Sequence, residues 1–264
     1  MKTVLLEDAI RLAEQYRKSG QRTQAEEIYR QILRQAPAQH GVGHALAVMC
    51  LEANRPAEAA SLLEKAVEAK NTVPHYHHNL AEAYRSMGRL AEAESAYRRA
   101  IALKDDYAAA VNGLGVCLAA QGRLIEALEE FERAVSLRPD HARALSNRAA
   151  CLRDLGRHPE AVKAYRQAVA AEGAPADAHY QFGQMLESRG DIEQALRCYE
   201  ACVQKAPDHR EALRRLSDLT QQAGRYAEAA DYRRRLGEMD MPVGGMGAQV
   251  DLGVGDLFMG AARP

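Results

Sequence analysis

Apolar residues recur along most of the chain at the spacing i, i+3, i+4 and i+7, in stretches of about 14 residues. This spacing is the pattern of an amphipathic α-helix that buries one face. The stretches come in pairs, and short polar segments with glycine, asparagine or proline separate them. The pattern therefore predicts an all-α protein built from helical hairpins.

The helical pairs repeat with a fixed period of 34 residues, without an insertion. Alanine marks the second helix of every unit: Ala25, Ala59, Ala93, Ala127, Ala161, Ala195 and Ala229. Five residues earlier stands a glycine or, once, an asparagine: Gly20, Asn54, Gly88, Gly122, Gly156, Gly190 and Gly224. Because both residue types tolerate the left-handed backbone of a C-cap, we expect them to end the first helix. Pro37, Pro139 and Pro207 share one position and are expected to end the second helix.

The repeat resembles the tetratricopeptide repeat family, which implies a right-handed α-solenoid of about seven helix-turn-helix units. In the register of that family, units 1 to 7 begin near Leu6, His40, Pro74, Ala108, Ala142, Ala176 and Arg210. The predicted array spans residues 1–239, and residues 240–264 form a separate tail. The contiguous array is also similar to the arm of bacterial O-linked N-acetylglucosamine transferase-like proteins, without their catalytic part. This second resemblance implies recognition of a protein and not the transfer reaction.

Charge and composition narrow the classes of partner. The chain carries 35 Lys and Arg against 36 Asp and Glu, so its formal net charge is −1. Nucleic-acid-binding proteins usually carry a basic excess, and we therefore expect no nucleic-acid partner. No stretch approaches the roughly 18 apolar residues of a membrane span, and the N-terminus lacks the uninterrupted apolar region of a signal peptide. Five cysteines, an odd number, favour reduced thiols and a cytoplasmic location.

In the register of the family, the first helix of each unit lines a concave groove with its positions 2, 5, 6, 9, 12 and 13. Amides, hydroxyls and imidazoles dominate the middle of this surface, and they can bond the free N–H and C=O groups of an extended peptide. The alternative is an ordinary solvated polar surface. The predicted peptide-binding residues are His44, His75, His78, Asn79, Glu82, Asn112, Val116, Arg143, Asn147, Arg153, Tyr180, Gln181 and Arg214.

The segment SNRAAC, residues 146–151, resembles the middle unit of tetratricopeptide repeats that clamp the C-terminal carboxylate of a partner. Such clamps also need cations in the flanking units. The corresponding positions of this chain hold Asn112, Val116, Asp177 and Gln181. A terminal carboxylate is therefore rejected as the ligand, whereas Arg143 and Arg153 could still receive an acidic side chain.

The segment VPHYHHN, residues 73–79, places three histidines within four positions. His77 occupies the fourth position of its unit, where the family packs a side chain between helices. His75 and His78 lie on one helical face, so with His44 they could reach a metal ion. The alternative reading is polar groove residues, and we expect neither a metal nor a cofactor.

The sequence contains no motif that predicts catalysis. Nucleotide-binding loops, zinc-protease motifs and nucleophile elbows are absent from it. Cys198 and Cys202 are four residues apart on a second helix, but Cys202 falls on a core position, so we expect small packed side chains. The chain is therefore not expected to be an enzyme.

The tail after Glu238 is rich in glycine and methionine and yet apolar, unlike an inert linker. Within its segment 251–258, DLGVGDLF, the expected docking residues are Leu252, Val254, Leu257 and Phe258. The tail could cap the last unit, occupy the groove of its own or a neighbouring chain, or serve as a motif for another protein. Disorder is the remaining alternative.

Together these patterns predict a non-catalytic scaffold that binds a segment of a protein or peptide partner in the concave groove. Two alternatives stay open. The first is an assembly protein that self-associates through its tail or convex face. The second is a non-catalytic subunit of an enzyme complex, such as the partner of a glycosyltransferase.

Overall fold

The computed structural model describes the backbone of residues 2–240 and the side chains of residues 6–237. This part of the chain is built entirely of α-helices and the short turns that join them. The helices are α1 (Lys2–Lys18), α2 (Arg22–Gln35), α3 (His40–Glu52), α4 (Pro56–Ala69), α5 (Pro74–Ser86), α6 (Leu90–Leu103), α7 (Ala108–Ala120), α8 (Leu124–Leu137), α9 (Ala142–Asp154), α10 (His158–Ala170), α11 (Ala176–Ser188), α12 (Ile192–Lys205), α13 (Arg210–Gln222) and α14 (Tyr226–Asp240). The predicted all-α class is therefore confirmed.

The helices stack in chain order as a solenoid. Each odd-numbered helix packs most heavily on the even-numbered helix that follows it, and each pair packs on the next pair. In addition, α3 contacts α5, α5 contacts α7 and α7 contacts α9. In a curved stack the inner elements approach one another most closely, so the odd-numbered helices line the concave face. From α3 onward, each odd-numbered helix begins at the residue where the sequence register begins a unit.

Left-handed residues end the first helix of every unit, as the sequence predicts. Six glycines have positive φ at these positions: Gly20, Gly88, Gly122, Gly156, Gly190 and Gly224. Asn54 takes the seventh position, with φ 55°. After α7, the Gly122 N–H donates to Ala119 O at 2.9 Å and the Arg123 N–H donates to Leu118 O at 3.0 Å. These bonds satisfy helix-end carbonyls and turn the chain into the second helix.

Replacing Gly122 by valine should destabilise the protein by roughly 1–2 kcal/mol, because its φ is +78° and a β-branched side chain disfavours left-handed backbone. No atom lies within 4 Å of the Cβ that would be added, so the cost comes from the backbone alone. Gly41→Ala within α3 is the control, since that glycine is also uncrowded but lacks a positive φ. It should stabilise by about 0.5–1 kcal/mol. Urea denaturation of both variants tests this, and destabilisation of similar size in both would contradict it.

A second repeating position fills the core with large side chains. At intervals of 34 residues the second helices carry Tyr29, Leu63, Tyr97, Phe131, Tyr165 and Tyr199, all buried. The rings need small neighbours: a Cβ added to Gly115 would lie 2.6 Å from Phe131 Cε1, and one added to Gly183 would lie 2.7 Å from Tyr199 Cε1. The alanines that mark the period are likewise fully buried. Small residues on both helices thus allow the two helices of a unit to approach each other closely.

Within the described residues, no helix is both long enough and apolar enough to cross a bilayer.

Candidate peptide-binding groove

A cavity of about 460 Å³ opens at the middle of the concave face, between α5, α7 and α9. Its lining residues are His78, Glu82, Arg85, Ala109, Asn112, Gly113, Val116, His141, Arg143 and Asn147. Six of the thirteen predicted binding residues meet there. Sequence reasoning missed Arg85 and His141. Arg85 stands at position 12 of its unit, which the register assigns to the groove, whereas His141 precedes α9 and carries no such signal.

Glu82, the one carboxylate among the described lining residues, is already paired. The Arg85 guanidinium donates to one oxygen of Glu82 at 2.6 Å, and the Tyr97 hydroxyl donates to the other. Burial of Glu82 raises the pKa of its carboxyl, but the hydrogen bonds from Arg85 and Tyr97 outweigh burial and the net pKa is lowered. Glu82 is therefore an ionised, bonded structural group and a poor candidate for a general base.

Two hydrogen bonds in the groove join position 5 of one unit to position 6 of the next, and we call them the rungs of a ladder. Asn79 Nδ2 lies 2.8 Å from His44 Nε2, and Asn147 Nδ2 donates to Asn112 Oδ1 at 2.9 Å. Between these two rungs, His78 stands at position 5 of unit 3 and Gly113 at position 6 of unit 4. Glycine has no side chain, so it cannot bond His78. Consistent with this gap, His78 Nδ1 is buried and has no hydrogen-bond partner among the described residues. These bonds hold the predicted amides in place and use one polar atom of each, so the other polar atom of the amide remains for a ligand.

His44 and His75 lie beside the N-terminal rung, with ring centroids 5.7 Å apart. Burial first, and then the charge of His75, lowers the pKa of His44 to about 4. Because Nε2 of His44 already faces the Asn79 amide, that nitrogen is not free to bind a metal ion. Over the described residues, no three His, Cys, Asp or Glu side chains are grouped as metal ligands.

The lowered pKa of His44 predicts a pH dependence of stability. The unfolded chain takes up a proton at His44 near the ordinary pKa of 6.5, while the folded protein does so only near 4. Stability from this group is therefore complete above about pH 6.5 and falls as the pH drops towards 4. Near pH 5, His44→Gln should take up about one proton fewer on unfolding than the wild type.

Urea denaturation between pH 4 and 8 measures this difference as a shallower slope of unfolding free energy against pH. His158→Gln serves as the control, because His158 is exposed at the start of α10. That variant should keep the wild-type slope. Identical slopes for His44→Gln and the wild type would show that His44 titrates normally in the folded protein.

Arg153, Gln181 and Arg214, which follow Asn147 in the chain, lie apart from the central cavity. Arg153 is engaged by Asp154 at 2.8 Å, so it does not offer a free charge to a ligand. Tyr165 links it to Gln181: the Arg153 guanidinium donates to the Tyr165 hydroxyl at 3.4 Å, and that hydroxyl donates to Gln181 Oε1 at 3.0 Å. Arg214 is exposed on α13. Arg153 thus has an acidic partner next to it in the sequence, and its role in peptide binding stays a prediction.

Tyr180 belongs to a separate aromatic group on α11. Its ring centroid lies 4.7 Å from that of His209 and 5.7 Å from that of Tyr199. Its hydroxyl accepts a hydrogen bond from the Gln184 amide at 3.0 Å. The polar tip of Tyr180 therefore faces solvent-exposed side chains, while its ring packs on the core.

His77, Cys198 and Cys202 are packed side chains outside the groove. His77 is buried and its Nε2 lies 2.9 Å from Asn71 O, which agrees with the packed position that the register assigns to it. Cys202 is fully buried, as predicted, and burial raises the pKa of both Cys198 and Cys202 to about 11. At neutral pH these thiols are protonated and therefore poor nucleophiles.

A larger apolar cavity, of about 710 Å³, lies at the first unit and contains none of the predicted residues. Six of its lining residues are Leu6, Ala9, Ile28, Gln31, Ile32 and Gln35. The residues that stand 34 positions after these six line a crevice between units 1 and 2, together with Leu33 and Pro37 of unit 1. They are His40, Gly43, Leu62, Lys65, Ala66 and Ala69. This cavity therefore belongs to the stacking surface of the repeat and not to the concave face.

The tail residues Leu252, Val254, Leu257 and Phe258 lie outside the described residues. Their predicted docking stays a prediction.

Four sequence-family models match the chain, and each is described as a tetratricopeptide repeat. They match residues 10–74, 50–114, 106–171 and 176–219, which together amount to well over half of the chain. No curated protein sequence matches the chain.

Several solved structures share the fold. A structure of Pseudomonas aeruginosa pilF is 19% identical, with a TM-score of 0.67 over 76% of this chain and 91% of its own. A structure of MamA is 23% identical, with a TM-score of 0.56 over 68% of this chain and 96% of its own. YrrB, described as a tetratricopeptide repeat protein with an unusual peptide-binding site, is 20% identical, with a TM-score of 0.51 over 70% of this chain and 96% of its own. At these identities the likeness concerns the fold alone.

Proposed function

Because the chain belongs to the tetratricopeptide repeat family, we propose that it is a non-catalytic scaffold that binds a peptide segment of a partner protein along its concave face. Arrays of this repeat commonly serve as protein-interaction scaffolds. The observation that carries the proposal is the central cavity, where six predicted groove residues meet in about 460 Å³. The unusual peptide-binding site described for YrrB lends support to peptide recognition on this fold.

The chemistry of the cavity suits an extended peptide. Asn112 and Asn147 bond each other through one oxygen and one nitrogen, so Asn112 keeps its amide N–H donors and Asn147 keeps its amide oxygen. A peptide backbone offers C=O and N–H groups that match this pair. Val116 and Ala109 add apolar surface beside the amides, which favours a peptide of mixed polarity.

The same residues argue against catalysis by this site. Glu82 is ionised and fully engaged by Arg85 and Tyr97. None of the described residues that line the cavity is a cysteine or a serine that could act as a nucleophile. A cytoplasmic location and the likeness to a glycosyltransferase arm remain parts of the proposal that rest on the sequence.

Binding can be tested with a library of random peptides that are attached to beads through C-terminal amides. The purified chain is compared with Asn112→Ala/Asn147→Ala, which removes both partners of one rung and so leaves no orphaned amide. Glu129→Ala/Lys163→Ala is the matched control, because both residues are exposed on second helices. Peptides that bind the wild type and the control, but bind the rung variant at least about tenfold more weakly, would support the groove.

Equal binding by all three proteins would overturn the proposal and direct attention to the convex face. Circular dichroism of each variant checks that the helices remain intact. Light scattering over a range of concentrations addresses self-association, because a groove that only binds peptides leaves the chain monomeric.

A further inference from the structure

We propose that the central cavity receives a carboxylate side chain, Asp or Glu, of the bound peptide, held by Arg143 with His141 and Asn112 beside it. This inference rests on the proposed function and names the partner chemistry of the same site. It differs from a clamp for a chain terminus, which the flanking units do not support.

Among the described residues that line the cavity, one cation has no counterion. Glu82 and Arg85 neutralise each other at 2.6 Å. Arg143 is exposed at the rim and makes no hydrogen bond or ion pair with any residue of the described range. The remaining titratable groups that line the cavity are the imidazoles of His78 and His141. The cavity therefore presents a net positive charge where it opens to a ligand.

The position of Arg143 in its helix adds to this excess. Arg143 is the second residue of α9, and the first turn of that helix contains no acidic side chain. The N-terminal end of a helix carries a partial positive charge, so a cation there is disfavoured until an anion binds beside it. A carboxylate at this point would compensate both the guanidinium and the helix end.

His141 contributes a hydrogen-bond donor in a fixed orientation. Its Nδ1 accepts a hydrogen bond from the Ala144 N–H at 3.2 Å, which caps α9. A neutral imidazole whose Nδ1 accepts must carry its proton on Nε2. Burial, followed by the charge of Arg138, lowers the pKa of His141 and favours this neutral form. The Nε2–H group is then the polar atom that remains for a ligand.

Asn112 completes the donor set, because its oxygen is used by Asn147 and its amide nitrogen is not. Three neighbouring side chains that line one cavity thus offer N–H groups, whereas Glu82, the only carboxylate in the described part of its lining, is occupied. A carboxylate accepts hydrogen bonds and donates none, so it matches this set better than an amide, a hydroxyl or a cation does.

The test uses the bead library with C-terminal amides, so that any carboxylate bound comes from a side chain. Selected peptides that require Asn112 and Asn147 are resynthesised with each Asp or Glu changed to Asn or Gln. For one acidic position of the peptide, this change should weaken binding to the wild-type protein roughly tenfold or more. Arg143→Gln should weaken binding of the unchanged peptide by a similar factor, and combining the two changes should add little. Arg166→Gln, an exposed arginine on α10, should leave affinity unchanged.

Groove-dependent peptides that lack an acidic residue, or that bind Arg143→Gln as tightly as wild type, would overturn the inference while leaving the proposed function intact. Complete absence of groove-dependent peptides, both in this library and in one with free C-termini, would instead overturn the proposed function and the inference with it. A parallel screen with free C-termini identifies a terminal carboxylate as the ligand if only those peptides bind, which would also refute the side-chain assignment.

Discussion

Replacing Phe131 by alanine is expected to lower the free energy of unfolding by about 3–5 kcal/mol. Phe131 lies on α8 in unit 4 and only 2% of it is exposed. Its ring fills the space beside Gly115, and a truncated side chain would leave a cavity between α7 and α8. In a stacked array each unit contacts only its neighbours, so a defect in the middle weakens both interfaces of that unit.

Urea denaturation followed by circular dichroism measures the change, and hydrogen exchange shows where the array opens first. Ile125→Ala is the matched control, because Ile125 is on the same helix but 69% exposed. Its effect should stay within about 0.5 kcal/mol. If both variants lost the same stability, burial of the ring would not be what stabilises unit 4. Exchange that increases first near α7–α9 would agree with a local defect.

The period of 34 residues made most of the fold predictable. It located the left-handed residues, since only Gly or Asn recurs where the first helix must turn, and the positive φ of Gly122 and Asn54 confirms that role. The buried ring position was not recognised, although Tyr97, Phe131 and Tyr165 are also 34 residues apart. The small residues define the period, but they do not by themselves show which large side chains they accommodate.

The site was less predictable, because its chemistry depends on which polar groups bond one another. The register brought Asn112 and Asn147 to adjacent units but could not show that they share a hydrogen bond. Nor could it show that Arg153 pairs with Asp154 while Arg143 has no described partner. Such pairings follow from side-chain rotamers, which a repeat pattern does not specify.

Gly113→Ala should destabilise the protein by roughly 1–3 kcal/mol. The added Cβ would lie 2.6 Å from Tyr97 Cζ, so the buried ring must move. The Tyr97 hydroxyl donates to Glu82, and movement of the ring would also disturb that bond. The most direct test compares Gly113→Ala in the wild type with Gly113→Ala in a Tyr97→Leu background, where a smaller side chain makes room.

In the Tyr97→Leu background the added methyl group should cost little or even stabilise α7, as alanine generally does relative to glycine within a helix. Urea denaturation of the four proteins gives the coupling free energy, and Gly41→Ala in both backgrounds is the uncrowded control. An equal cost of Gly113→Ala in both backgrounds would mean that the ring does not require the glycine. The predicted coupling would instead explain why no bond joins His78 to position 6 of unit 4. Tyr97, which bonds Glu82 in the groove, occupies the space that a side chain at position 113 would need.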